Sequence, residues 1–236
     1  MALKIPNSQY NLADPDSLPV RIAGIQRRRM FQRFLSETGV TVDETILDVG
    51  VTSDRSYASS NYLEAWYPHK RAITAAGIDD ARFLEELYPG VRFVFASGLD
   101  LPFADGSFDV VHSSAVLEHV GAFENQRRFV RECCRVARRA VFVTTPNRWF
   151  PVEFHTVLPL VHWLPKPAFR SLMRRIGQDF FAQEANLNLM SAAEMRAAAS
   201  VEGFEADVSS VALAGWPSNL LLVMRRRDAA GAAARR

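Results

Sequence analysis

The chain has 236 residues, 48% hydrophobic and 23% charged, with 28 basic side chains against 26 acidic ones. That length buries a sizeable core without disulfides or a structural metal, and it accommodates one or two domains. Residues 225–236 carry Arg225, Arg226, Arg227, Arg235 and Arg236 against Asp228, an excess above the whole net charge of +2. The body is therefore slightly acidic, and no nucleic-acid partner is expected.

The opening stretch, MALKIPNSQYNLADPDS, lacks the apolar run of a secretion signal. No stretch approaches the ~18 apolar residues of a membrane-spanning helix. Cys133 and Cys134 are neighbours, so neither a disulfide framework nor a CxxC zinc site can form. No His/Cys/Asp/Glu set has metal-ligand spacing along the chain, so no metal is expected. A reducing, cytoplasmic setting fits this cysteine usage.

Residues 1–39 read as an irregular arm followed by a helix. Asp16 or Ser17 can cap the helix, and Leu18, Ile22, Ile25, Met30, Phe34 and Leu35 recur at helical spacing up to Gly39. Arg21, Arg27, Arg28, Arg29 and Arg33 on it read as a solvated basic face, with an anion- or membrane-facing surface as the alternative. Strand candidates follow at 45–50, 71–76, 91–96, 108–113 and 140–145. They are short, β-branched and almost continuously apolar, as strands covered on both faces are. Asn61, with Glu64 three residues on, can cap a helix before the second strand. Further helices are expected at 80–88 and 123–139, the second with Cys133 and Cys134 as small core residues. This alternation predicts a parallel sheet in an open α/β fold.

The pattern breaks at 146–190. Pro146, Pro151, Pro159, Pro165 and Pro167 forbid one long helix, while Trp149, Phe150, Phe154, Trp163, Phe169, Phe180 and Phe181 make the stretch too apolar for a linker. It reads as an inserted cap within a single domain over 40–224. A helix at 192–201 and strands at 204–213 and 219–224 follow, the strands joined through 215–218. Residues 225–236 read as a disordered basic tail.

In open α/β sheets ligands bind beyond the carboxyl ends of the strands. Small and hydrogen-bonding residues collect at those junctions: Asp48 to Asp54, Asp79, Ser97 to Leu99, and Ser113 with Ser114. In the same stretches, ILDVG, LPFADGSFDVVHSSAVLEHV and VARRAVFVTTPN resemble the class I S-adenosylmethionine-dependent methyltransferases, in the type 11 methyltransferase-domain group. The likeness covers roughly residues 40–146. It implies a Rossmann-like, seven-stranded, mostly parallel sheet flanked by helices and ending in an antiparallel strand pair. It also implies S-adenosylmethionine across the ends of the first four strands. The expected contacts are Asp48, Val49, Gly50, Thr52 and Asp54, then Asp79, then Ser97, Gly98 and Leu99, and finally Ser113, Ser114 and His119.

Three positions depart from the family pattern. Thr52 and Asp54 stand where the first loop normally has glycines, which allow close backbone approach. Gly77 aligns with the acid that meets the ribose, and Asp79 is its substitute. Ser97 stands where an acid meets the adenine amino group, and a hydroxyl there makes the weaker bond. Two readings follow: a methyltransferase with altered contacts, which is preferred, or a non-catalytic binding protein on a degenerate methyltransferase fold.

His69 and His112 read as structural, and His119 as a cofactor contact. His155, about ten residues past the fifth strand, is the candidate general base, with a bond to a cap carbonyl as the equal alternative. The acceptor is expected to be a small molecule or lipid-linked, with oxygen favoured as nucleophile. Most aromatic and arginine residues of the cap read as a small cap core; a lid over an apolar acceptor and peripheral contact with the inner face of the membrane are the alternatives.

Overall fold

A computed structural model describes residues 18–55 and 59–227. Helix α1 (Leu18–Thr38) leads into β1 (Ile46–Val49), and α2 (Tyr62–Trp66) precedes β2 (Ile73–Gly77). Then come α3 (Phe83–Leu87), β3 (Arg92–Phe95), β4 (Phe108–Ser114), α4 (Phe123–Val136) and β5 (Ala137–Pro146). A segment with one helix, α5 (Lys166–Arg175), separates these from α6 (Ala192–Ala198), β6 (Phe204–Leu213) and β7 (Trp216–Arg226). The seven strands form one sheet in the order β3-β2-β1-β4-β5-β7-β6. β1 to β5 are parallel, and β7 runs antiparallel between β5 and β6. This is the seven-stranded, mostly parallel α/β sheet with a reversed terminal pair.

Side chains alternate across each strand, so every strand feeds two cores. Leu47, Val49 and Val111 pack under α4 and α6 with Phe129, Val130 and Met195. Ile46, Ile73 and Phe142 pack under α1, α2 and α3 with Phe34, Leu63 and Leu84. Cys133 and Cys134 are buried in the first core, and burial pushes the Cys134 thiol up to about 12, so both behave as apolar fillers. The segment between β5 and α6 has its own small core of Phe169, Met173, Phe181 and Leu187. A parallel bridge between Asn147 and Met190 closes its base.

Asp48 lies on the α1–α2 side of β1 and meets a buried polar cluster. Its Oδ1 is 2.7 Å from His112 Nδ1, and the other ring nitrogen of His112 is 2.8 Å from the Tyr62 hydroxyl. With the tyrosine donating to Nε2, Nδ1–H donates to Asp48. Phe34 meets the His112 ring edge-on and Phe142 stacks on it. Burial pushes Asp48 up to about 7 and His112 down to about 4. Glu64, fully buried on α2, is raised well above its usual range, by burial first and by Asp48 second.

Several expectations are corrected. Asn61 does not cap α2, and Glu64 does not close a capping box; both side chains face inward. The helix expected to reach 139 stops at Val136, because Arg138 and Arg139 already belong to β5 and pair with Asp109 and Glu44. The β6–β7 turn is tighter than 215–218. Ala214 and Gly215, both at positive φ, make it, and β7 starts at Trp216. Arg225 and Arg226 are strand residues rather than tail: Arg225 bonds Glu37, and Arg226 bonds the Ala137 carbonyl and lies over Phe204. The Arg227 backbone N–H donates to the Gly203 carbonyl, and residues 228–236 and the arm at 1–17 lie outside the described residues. Arg21, Arg28 and Arg29 of α1 are exposed, as a solvated face requires, but most of the helix's arginines also have protein partners. Arg28 stacks on Trp66, Arg29 bonds the Ala212 carbonyl, and Arg33 bonds Glu37 and Ser209.

The cluster makes stability pH-dependent. Glu64 has a folded pKa above its unfolded 4.5, so its protonated form stabilises the fold and that contribution is lost as pH rises through the folded value. Glu64→Gln, which cannot ionise, should therefore gain on the wild type between pH 5 and pH 9. Denaturant unfolding should show that gap widening as pH rises across this range.

Candidate functional site

A cavity of about 400 Å³ opens where the strand order reverses, beyond the carboxyl ends of β1, β2 and β4. Val49, Gly50 and Thr52 line it from β1 and its loop. Asp79 lines it after β2, Ser97, Gly98 and Leu99 after β3, and Ser114 and His119 after β4. His155 reaches it from the segment after β5. Three expected residues do not line it. Asp48 turns into the polar cluster, Ser113 is buried and donates to the Val49 carbonyl, and Asp54 lines a separate cavity with Arg55 and Phe83.

The β1 loop is held without its missing glycines. The Asn61 side-chain amide accepts from the Thr52 backbone N–H and donates to the Thr52 carbonyl, each at 2.9 Å. It thereby copies the two-point pairing of a strand neighbour. The one essential glycine of the loop is Gly50, at φ 95°, where a Cβ would stand 2.1 Å from a Val116 methyl. At Gly77 a Cβ would stand 2.7 Å from the Val51 carbonyl oxygen. No acidic side chain fits there, and the carboxylate at this edge is Asp79, two residues on.

Sequence reasoning missed Arg27, Ser60 and Ala185, which also line the cavity. Arg27 comes from α1, outside the strand–loop pattern, and its Nη1 donates to Ser59 at 3.0 Å. No periodicity separates it from its neighbouring arginines. Phe129 was legible only as a core residue of α4, yet its ring also reaches the cavity beside Gly98.

The far end of the cavity holds a histidine pair. His119 Nε2 and His155 Nε2 are 3.1 Å apart, with rings perpendicular. His119 Nδ1 is 2.6 Å from the Asn186 carbonyl, and His155 Nδ1 is 2.7 Å from Glu153 Oε1. Glu153 also accepts from the backbone N–H groups of His155 and Thr156. Burial alone would raise Glu153, but the His155 charge and these bonds hold it at about 2. Burial disfavours charge on His155, and Glu153 more than reverses that, so its pKa is raised. Burial, with the neighbouring His155 charge, pushes His119 down to about 3. Glu118 sits beneath the pair with Oε2 accepting from the Thr145 hydroxyl. Two histidines and a carboxylate thus converge here in space, although the sequence spacing gave no sign of it. Backbone strain flanks the site: Ala115 and the β-branched Val157 have φ of 55° and 57°.

Residues 47–143 match the family model of the methyltransferase domain, Methyltransf_11. A probable S-adenosylmethionine-dependent methyltransferase of Mycobacterium tuberculosis is 49% identical over 51 residues, 21% of this chain and 18% of that protein's length. A putative sarcosine dimethylglycine methyltransferase from Galdieria sulphuraria aligns with a TM-score of 0.59 at 16% identity, over 89% of this chain and 88% of its own. Magnesium protoporphyrin IX methyltransferase from Synechocystis PCC 6803, solved with bound S-adenosylhomocysteine, aligns at 0.55 and 15%, over 92% and 91%. Residues 47–143 are thus similar to a methyltransferase domain, and the solved structures share the fold. The family match spans β1 to β5, so it contains every cavity strand but not α1 or the segment that presents His155.

The Asn61 clamp gives a direct test. Asn61→Ala leaves a part-buried amide and carbonyl of Thr52 without their partner and should destabilise the fold by about 1–3 kcal/mol. Asn61→Asp keeps the acceptor and loses the donor, so urea unfolding should place it between alanine and wild type.

Proposed function

We propose that this protein transfers a methyl group from S-adenosylmethionine to an oxygen of a small or lipid-linked acceptor. The observation that carries the reading is one cavity, at the strand-order reversal of a methyltransferase domain, with an acidic side chain at the β2 edge and an ionisable histidine pair at the other end. The residues present fit the cofactor. Asp79 would take the ribose hydroxyls, the backbone at Gly50 admits close approach, and Ser97 would face the adenine edge. Arg27, at the Thr52 side, would hold the carboxylate of the amino-acid part. Bound there, the cofactor supplies a sulfonium methyl for in-line displacement by the acceptor. The chain's task is then to exclude water, orient the acceptor and remove its proton. His155 Nε2 is the proton acceptor the cavity offers, and Glu153 fixes its tautomer through Nδ1.

The segment after β5 carries an exposed aromatic and apolar surface. Trp149, Trp163 and Trp216 lie in a row with centroids 6.2 and 6.3 Å apart, and Arg148 covers Trp149. Trp149, Val157, Leu160, Leu164 and Trp216 are exposed on the same segment and its neighbouring turn. An aromatic and basic surface of this kind suits an interfacial position beside a lipid-linked substrate. Among the described residues no helix is long and apolar enough to cross a membrane.

Two experiments test this reading. Calorimetry with S-adenosylhomocysteine should show one site, and Asp79→Ala or Arg27→Ala should each weaken it about tenfold or more; no heat at millimolar ligand sinks the cofactor assignment. Flotation with anionic vesicles should carry the chain upward, and Trp149→Ala with Trp216→Ala should abolish that. A chain that stays at the bottom of the gradient removes the membrane half of the reading.

A further inference from the structure

We propose that Glu118, His119 and His155 form a binding site for one divalent first-row transition-metal ion at the floor of the cavity. Each offers one ligand atom, and the three atoms all lie within 4.8 Å of one another. Hydrogen bonding fixes which atoms those are. His119 Nδ1 faces a backbone carbonyl, which only accepts, so Nδ1 carries the proton. His155 Nδ1 faces Glu153, a carboxylate that also accepts two backbone N–H groups, so here too Nδ1 carries the proton. With Nδ1 protonated on each ring, the two Nε2 atoms face each other across 3.1 Å, and in the neutral rings both present lone pairs. Two lone pairs at that distance require a cation between or beside them, a shared proton or a metal ion.

The surroundings favour the metal ion. Glu118 is fully buried, with Oε2 held by Thr145 and Oε1 left without a hydrogen-bond partner, 3.8 Å from His119 Nε2. A buried carboxylate oxygen with no donor costs free energy that a cation removes. Two imidazole nitrogens held ~2.1 Å from one ion at right angles stand about 3.0 Å apart, close to the separation seen. Each of the three residues has a partner on its remote atom: a carbonyl for His119, a carboxylate for His155, a hydroxyl for Glu118. That is the outer arrangement metal ligands normally have. Two imidazoles and one carboxylate select a first-row transition ion over calcium or magnesium. Because His119 and His155 line the cavity, the open positions of the ion face the acceptor.

What the ion does rests on the methyl-transfer reading: it polarises the acceptor oxygen, whose proton then leaves to solvent, and His155 acts as ligand instead of base. That the ion binds does not rest on it. The test uses cobalt(II) chloride alone, added to the chelator-treated full chain and followed by calorimetry and visible absorption. One equivalent should bind and develop ligand-field bands. Glu118→Gln, and separately His155→Ala, should weaken binding about tenfold or more and change the bands, and Glu153→Gln should weaken it as an outer partner does. His69→Ala, at an exposed histidine outside the cavity, should change nothing. Circular dichroism identifies any variant that has unfolded, and Glu118→Gln is the isosteric one to rely on. No binding by folded wild type overturns the site, as does binding that Glu118→Gln and His155→Ala leave unchanged. S-adenosylhomocysteine calorimetry on the same sample separates the two proposals. Heat without cobalt binding removes only the metal, and cobalt binding without heat removes only the cofactor reading.

Discussion

Parallel pairing of β1 with β2 on one side and with β4 on the other is the constraint from which the site follows. The crossovers from these strands leave in opposite directions, which opens a gap beyond their carboxyl ends. Asp48 and His112 are paired residues in that β1–β4 ladder, and their side chains bond across it. The bond lies on the α1–α2 face, so it ties together the strands that must part above it. Phe34 and Phe142 seal it from water. A charged Asp48–Glu64 pair in that seal would be costly, and burial shifts both carboxyls toward their neutral forms. The β1–β4 ladder is therefore tied by a cluster polar enough to fix strand register yet able to stay buried.

The elements that the sequence displayed best are those whose period is enforced by two-sided burial. β4 and β5 are nearly continuous apolar runs because helices cover both faces, and α4 shows its stripe because one face meets the sheet. The site was legible only to the extent that residue position sets side-chain direction. Val49, Gly50, Thr52, Asp79, Ser97 and Ser114 sit at strand ends and reach the cavity. Asp48 and Ser113 sit at the same ends, but each alternates to a buried partner, and a motif does not state which face a residue takes. Arg27 and Asn61 were illegible as site residues for a different reason. Each acts across a long loop or a separate helix, where no local spacing records the contact. The histidine–carboxylate cluster combines adjacent residues with one contributed 36 positions away. Only the path of the chain after β5 makes it a cluster.

That path is itself expensive. Val157 and Leu160 adopt left-handed backbone conformations that branched and bulky residues rarely tolerate. Such strain persists when the surroundings over-determine it. Here Glu153 does so: one carboxylate, fully buried, accepts from two backbone amides and from the His155 ring. The His162 ring accepts no freedom either, bonding the Phe150 carbonyl from the next turn. With its base closed by Asn147 and Met190, the segment is a braced arch rather than a loose flap.

The brace and the chemistry of His155 are consequently one device. Glu153 holds the turn only while it is ionised, since a protonated carboxyl cannot accept three donors as strongly. The same charge orients the imidazole with Nδ1–H inward and Nε2 toward His119. Any change that neutralises Glu153 thus loosens the arch and lets the ring turn, whether Nε2 serves to take a proton or to hold an ion. Position 155 cannot be tuned electronically without also being tuned in space. That coupling explains why a buried acid is placed there, two residues from the histidine, instead of a neutral hydrogen-bonding side chain.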